Sequence, residues 1–529
     1  MASQDFRLAS GGLIDRTQTL AFRFDGEMFA GHVGDTLASA LLANGVRLVG
    51  RSFKYHRPRG IFSAGSEEPN ALVELREGAR REPNTRATTT ELHDGLVARS
   101  QNRFPSLGFD LLAANDLLSP FLGAGFYYKT FMWPASFWEK VYEPAIRRAA
   151  GLGSLSGEPD PDAYEKATAH CDILVVGGGP AGLQAALAAA RGGARVILAE
   201  EDFRLGGRLN GERIEIARAP AREWVAKTAA ELAAAPNVRL MRRTCVFAVY
   251  DGGTYAALER VSDHLAEPAP HQPRQRLWRI VAKRAILAAG AGERGIAFGD
   301  NDRPGVMLAS AVRTYVNRFA VLPGKAITVF TCNDNGWRTA RDVLAAGGKV
   351  AAIVDSRGAE DVSVLRAGVG DTPVFTRATI AGTSGRKQLA AVAIATASGA
   401  RVTVETDCLA VAGGWNPLVH LACHLRGKPV WNDKLAAFVP GAELPPGLTV
   451  AGAAAGSFST QAAMREGGAA AAAALGDLGR KGKAAPVPET EDDGYVIAPL
   501  WHVGGGRAFL DLQNDVTVKD VELSHREGF

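Results

Sequence analysis

Cysteine is scarce in this chain, with five in 529 residues and none before Cys171. Cys171, Cys245, Cys332, Cys408 and Cys423 form no C-x-x-C pair, which excludes a zinc ribbon and a dithiol redox motif. The start, MASQDFRLAS, lacks a basic-then-apolar leader pattern. The isolated cysteines are therefore expected to be small buried hydrophobes in a protein of the reducing cytoplasm. No apolar run approaches the ~18 residues of a membrane span, and the alanine-rich GGAAAAAAL at 467–475 reads as a buried helix. An excess of either charge is also missing. Sixty basic residues against 56 acidic leave a net +4, which implies no strong attraction to nucleic acid. The basic run RSFKYHRPR (51–59) is expected to be a solvated face or an anion contact. His32, His56, His93, His424, His502 and His525 follow no metal-ligand spacing. No metal ligand and no catalytic residue is assigned to the chain.

What is present points to several domains, since 529 residues with 47% hydrophobic content exceed a single core. The first hundred residues alternate strand-like runs and turns. FDGE reads as a hairpin turn, DTLASALLANG as a capped helix ending in glycine, and ALVELREG as a later strand. That order is the order of a ferredoxin-like β-grasp unit. YHRPRGIFSAGSEEPNALVEL (55–75) has the frame of a plant-type cluster loop, in which a C-x4-C-x2-C run holds two irons. Ser63, Glu68 and Ala71 occupy the three ligand positions. Eleven large apolar or aromatic side chains follow within 125–151 and would line a core or anchor an interface. GLGSLSGEPDPDAYEKA (151–167) has linker composition.

From 172 the pattern becomes strand, glycine turn, helix, strand. Gly177, Gly179 and Gly182 fit G-x-G-x-x-G between a predicted strand and a predicted helix. The first permits the tight turn, the second lets backbone approach a pyrophosphate, and the third allows close helix packing. The helix N-terminus then offers N–H groups and the positive dipole end to phosphate. Glu200 closes the next strand 23 residues after Gly177, where a carboxylate accepts hydrogen bonds from an adenosine ribose. Flavoproteins of this interrupted architecture carry an acid in a late GD segment, but here VAGAAAG puts Ala453 in that place. The substitution favours NAD over FAD. A second unit, FTCNDNGWRTA, keeps only Gly336 and is expected to preserve the fold without a second nucleotide. The GGWNP turn (413–417) is expected to serve packing rather than chemistry, a place near the nucleotide being the alternative for Trp415 and a place at the cofactor entrance the alternative for Arg303 and Pro304.

The blocks YHRPRGIFSAGSEEPNALVEL, GFYYKTFMWPASFWEKVYEPAIRRAAGLG, DILVVGGGPAGLQAALAAARGG, NDRPGVMLASAVRTYVNRF and AGGWNPLVHLACHLRGKPVWNDKLAAFVPG resemble the N-terminal half of the alpha subunit of heterotetrameric sarcosine oxidase, and FLDLQNDVTVKDVELSHREGF extends the likeness to residue 529. The resemblance implies that this chain carries NAD, that a beta subunit holds the FAD that oxidises sarcosine, and that FMN lies between the two. Gamma and delta subunits would complete the complex. The implied nucleotide contacts are Gly177, Gly178, Gly179, Pro180, Ala181, Gly182, Glu200, Glu201, Gly206, Gly207, Arg208 and, for adenine, Val246. The family's alpha subunit usually continues into a folate-binding, aminomethyltransferase-like domain, and the likeness stops before it, whether because the sequence is truncated, because the domain is encoded separately or because the complex releases formaldehyde. In cluster-binding relatives a C-x-C-E-x-V-T run opens a small C-terminal domain, and DLQNDVT puts Asp511 and Gln513 at those cysteines. Electron transfer that bypasses iron is the expectation.

The expected architecture is α/β: a cluster-less ferredoxin-like domain (1–100), an aromatic-rich connector (101–168), a Rossmann-like dinucleotide domain of disulfide-reductase type (169–324 and 416–485), a degenerate nucleotide-binding insert (325–415) and a ligandless C-terminal remnant (486–529). Three functional readings follow. One is a subunit of a sarcosine oxidase complex with oxygen as acceptor. Another is a subunit of a related dehydrogenase of proline, opines or other N-methyl amino acids. The last is a non-catalytic scaffold on NAD.

Overall fold

The computed structural model describes residues 4–529 except 124, 127–130, 132, 150, 152, 481–484 and 492. The chain forms two compact units. One comprises 1–161, 295–413 and 500–529, the other 162–294 and 414–499.

The first unit begins as expected. Asp15–Phe24 and Glu27–Val33 pair antiparallel around the Asp25–Gly26 turn. Both turn residues have positive φ, the geometry that matches the twist of a tight hairpin. Five strands make one sheet in the order Glu27–Val33, Asp15–Phe24, Leu96–Ser100, Leu72–Leu75, Glu82–Arg86. The helix Leu37–Ala43 is wholly buried. Its cap is reciprocal: Ser39 N donates to Thr36 Oγ1, and Thr36 N donates to Ser39 Oγ, which satisfies two donors that the helix itself cannot pair.

The same unit holds a parallel sheet in the order Val306–Leu308, Cys408–Ala412, Ile327–Thr331, Val350–Asp355, Val374–Thr376. Three of these strands are buried along every residue, as a sheet covered on both faces requires. Because 306–308 pairs with 408–412, the insert expected at 325–415 is joined here by 295–324. An antiparallel hairpin extension, Thr379–Ser384, Ala391–Ala395 and Arg401–Glu405, lies within it.

The aromatic stretch 125–151 falls partly outside the described residues. Of those described, Trp133, Phe137 and Val141 are exposed, and Phe131 and Phe137 lean on Tyr142 with ring centroids 5.4 and 6.1 Å away.

The second unit is built on one sheet. Val238–Met241, Val196–Ala199, Tyr164–Val176, Gln275–Leu287 and Leu448–Val450 run parallel in that order. Thr254–Glu259 and Thr244–Tyr250 continue it antiparallel. Helix Pro180–Arg191 is buried over most of its length and packs against helix Thr460–Asp477, where a Cβ on Gly467 would come within 2.1 Å of Ala181 O. That close approach is why an alanine- and glycine-rich helix follows the last strand. All five cysteines are free, three of them buried. Among the described residues no helix is long and apolar enough to cross a membrane.

Candidate nucleotide-binding site

A cavity of about 290 Å3 opens in the second unit where the central strand Tyr164–Val176 meets helix Pro180–Arg191. Gly177 has φ +99°, and a Cβ there would lie 2.4 Å from Ala288 O. The turn thus needs glycine on both conformational and steric grounds. Gly182 is constrained on steric grounds alone, since its Cβ would meet Gly177 O at 1.8 Å. Gly179 differs. Its Cβ would touch only Gly207 Cα, at 3.9 Å, so the missing side chain leaves space in the cavity for a ligand. The helix begins with Pro180 at its first position and has no side-chain cap, leaving first-turn N–H groups to an anion.

The far side of the turn is fixed by Glu200. Its Oε2 accepts from Gly178 N at 2.6 Å and its Oε1 from Asp202 N at 2.8 Å. Burial, with Asp202 and Glu201 nearby, pushes this carboxyl up to about 7 despite those two donors. Cys245 lines the same wall, and burial pushes its thiol up to about 11, so it is no ready nucleophile.

Of the expected contacts, Gly177, Gly179, Pro180, Ala181, Glu200, Glu201, Gly207, Arg208 and Val246 line the cavity. Gly178, Gly182 and Gly206 lie behind the lining. Gly178 serves through its N–H to Glu200, and Gly206 N donates to Gly178 O at 2.8 Å. Trp415 also lines it, as do Leu418, Ala288 to Ala291, Ser457 and Phe458. Arg303 does not. It bonds to Thr383 Oγ1 at 3.1 Å and to Gly385 O.

Two carboxylates brace the cavity-lining residues Ser457 and Thr460. Glu466 accepts from Gly452 N at 2.8 Å and from Ser457 Oγ, beside Ala453. Asp493 sits on the first turn of helix Thr460–Asp477. Both its oxygens accept from Thr460 N at 2.8 Å, and Oδ2 also from Thr460 Oγ1 at 2.7 Å. Arg208 faces Asp493 at 3.5 Å and donates to Phe458 O at 2.6 Å and to Glu212 at 3.0 Å. Sequence reading missed Asp493, which stands in an acidic run, ETEDDGY, with no local sign of its target.

The insert's own helix, Asp334–Ala345, is closed differently. Its first turn is occupied by Asn333 Oδ1, which accepts from Asn335 N at 2.9 Å. Buried Arg357 bridges Asp334 at 2.7 Å and Asp355 at 2.9 Å, and Trp337 Nε1 donates to Asp355 at 2.7 Å.

The chain thus joins a ferredoxin-type module to a Rossmann-type dinucleotide module. Residues 17–103 match the family of 2Fe-2S iron-sulfur cluster binding domains, and 172–262 that of FAD dependent oxidoreductases. Over almost its whole length the chain is similar to sarcosine oxidase alpha subunits. It is 53% identical to the one from Rhizobium meliloti (strain 1021), covering 99% of this chain and 53% of that one. Against the one from Corynebacterium sp. (strain P-1) it is 38% identical, covering 96% and 50%. The chain thus spans about half the length of these relatives. In fold it matches a crystal structure of L-proline dehydrogenase from P. horikoshii, with TM-score 0.65, 19% identity and coverage of 99% and 87%.

The site fits a dinucleotide: a cradle that a Cβ would fill at Gly179, uncapped helix N–H groups and a ribose-type acceptor. The module at 17–103 does not fit a cluster. It contains no cysteine, and no group of three His, Cys, Asp or Glu side chains converges among the described residues.

Proposed function

We propose that this chain is the nucleotide-holding, alpha-type subunit of a sarcosine oxidase-type complex, and that its cavity binds NAD. The observation that carries the nucleotide choice is the pair Ala453 and Asp493. A flavin dinucleotide extends past the pyrophosphate toward the late strand and the following helix. There the chain offers a methyl group at Ala453 and an N-terminal turn already filled by its own carboxylate. The adenosine half would be held by Glu200 at the ribose, by Gly177, Gly179 and Ala181 at the pyrophosphate, and by Val246 at the adenine edge.

Sarcosine oxidation to glycine then belongs to FAD in a beta subunit and FMN at the interface, with oxygen as acceptor and gamma and delta subunits completing the assembly. The name shared by the relatives at 53% and 38% identity supports this reading. Co-expression with the partner subunits tests it. Oxygen uptake on sarcosine, with NAD, FAD and FMN released on denaturation, is expected. Turnover of proline or an opine without sarcosine would transfer the chain to a related amine dehydrogenase. Wild-type turnover after the bound nucleotide is emptied by mutation would make NAD a scaffold only.

A further inference from the structure

The loop that has the cluster-binding frame is not empty. Glu68, fully buried, turns its carboxylate inward and accepts four backbone N–H groups. Oε2 takes those of Phe62 at 3.0 Å and Ser63 at 2.6 Å, and Oε1 those of Asn70 at 2.8 Å and Ala71 at 2.9 Å. Convergent backbone N–H groups of this kind form an anion nest. In iron–sulfur loops such groups hydrogen-bond the sulfurs. Glu68 itself stands at the second position of the ligand frame. Ser63, at the first, is fully buried with its Oγ unpaired, and Ala71, at the third, is fully buried too. Thr88, from outside the loop, donates its hydroxyl to Gly65 O at 2.7 Å.

We propose that Glu68 is a built-in anion that has taken the place of an iron–sulfur cluster and holds the loop in a cluster-bearing shape. All four neighbours of the carboxylate are donors, so no acceptor awaits a carboxyl proton. Burial pushes its pKa up from the ordinary value, and the four backbone N–H donors oppose that rise. The shape has a use. Phe62 O accepts from Leu308 N at 2.8 Å, and Ser63 O from Tyr315 OH at 2.8 Å. The nest thus fixes two carbonyls, one bonded to the edge strand of the parallel sheet at Leu308 and one to the helix Ala309–Phe319 that follows it, at Tyr315.

Two measurements on the full chain test this. Glu68→Gln keeps the size but sets an NH2 against two of the four donors. Amide exchange across 60–72 is expected to quicken by about tenfold, the equivalent of losing one buried hydrogen bond, with the sheet 15–33 unchanged. Unchanged exchange in the loop would overturn the proposal. The second is anaerobic reconstitution with ferrous iron and sulfide. Cysteines replacing Ser63, Glu68, Ala71 and Thr88 together are expected to give a [2Fe–2S] absorption and EPR signal. The variant with cysteine at 63, 71 and 88 that retains Glu68 is expected to give none. A cluster in both variants, or in neither while both are folded, would overturn the proposal. If the four-cysteine variant does not fold, the exchange result decides alone.

Discussion

Gly178 N donates to Glu200 Oε2 at 2.6 Å, so the acid at the end of the second strand is also the brace of the phosphate turn. In the proposed NAD site, ligand recognition and loop shape would be coupled through this one carboxylate. Glu200→Ala is expected to weaken NAD binding by about tenfold or more, as loss of a buried hydrogen-bond acceptor implies. Titration calorimetry on the purified chain checks it.

The same residue gives a pH dependence. Its carboxyl is raised to about 7 in the folded chain, above the ordinary value near 4.3. Its contribution to stability is therefore full below about pH 4 and is lost as pH rises through about 7. Glu200→Gln should flatten the stability slope of the nucleotide-free chain between about pH 4 and 7, measured by denaturant melts.

Asp172 acts in the opposite sense. Hydrogen bonds from the Arg195 side chain, aided by its backbone N–H and by Lys283, hold this carboxyl well below the usual range. Its stabilisation is present above the ordinary value near 3.9 and is lost as pH falls toward the depressed one. Asp172→Asn should lower stability at pH 7 by about 1–3 kcal/mol, with the difference from wild type shrinking in acid.

Gly182→Ala should remove nucleotide binding and destabilise the second unit, because the added methyl would lie 1.8 Å from Gly177 O. About 2 kcal/mol or more is expected for an overlap that backbone must relieve. Ala181→Gly, one residue earlier, is the control for helix propensity.

One dinucleotide per chain is expected, because Asn333, Asp334, Asp355 and Arg357 fill the start of the second nucleotide-type helix with the chain's own groups. Equilibrium dialysis with NAD should saturate near one equivalent. A second equivalent would assign a site to the insert.

The glycine turn and Glu200 were legible because strand, turn, helix and strand follow one another within thirty residues, and their spacing is set by local geometry. The order of the ferredoxin-type module was legible for the same reason. Asp493 was not. It reaches Thr460 across a 33-residue gap, and nothing in an acidic loop declares which helix it will cap. The boundaries of the insert shifted because Val306–Leu308 pairs with a strand a hundred residues later, and register at that range leaves no periodic trace. Glu68 was visible as a replaced ligand, but its role as acceptor for four amides depends on how the loop closes. Arg57 likewise looked like part of a solvated basic face. It is buried, paired with Asp515 at 2.5 Å and held to Leu512 O.

The central claim is that the cavity beside Gly179 holds NAD while flavins belong to partners. Release of bound nucleotide by acid from the chain purified alone, followed by chromatography, tests it most directly. The account predicts close to one NAD per chain and no flavin. Stoichiometric FAD in place of NAD would contradict it.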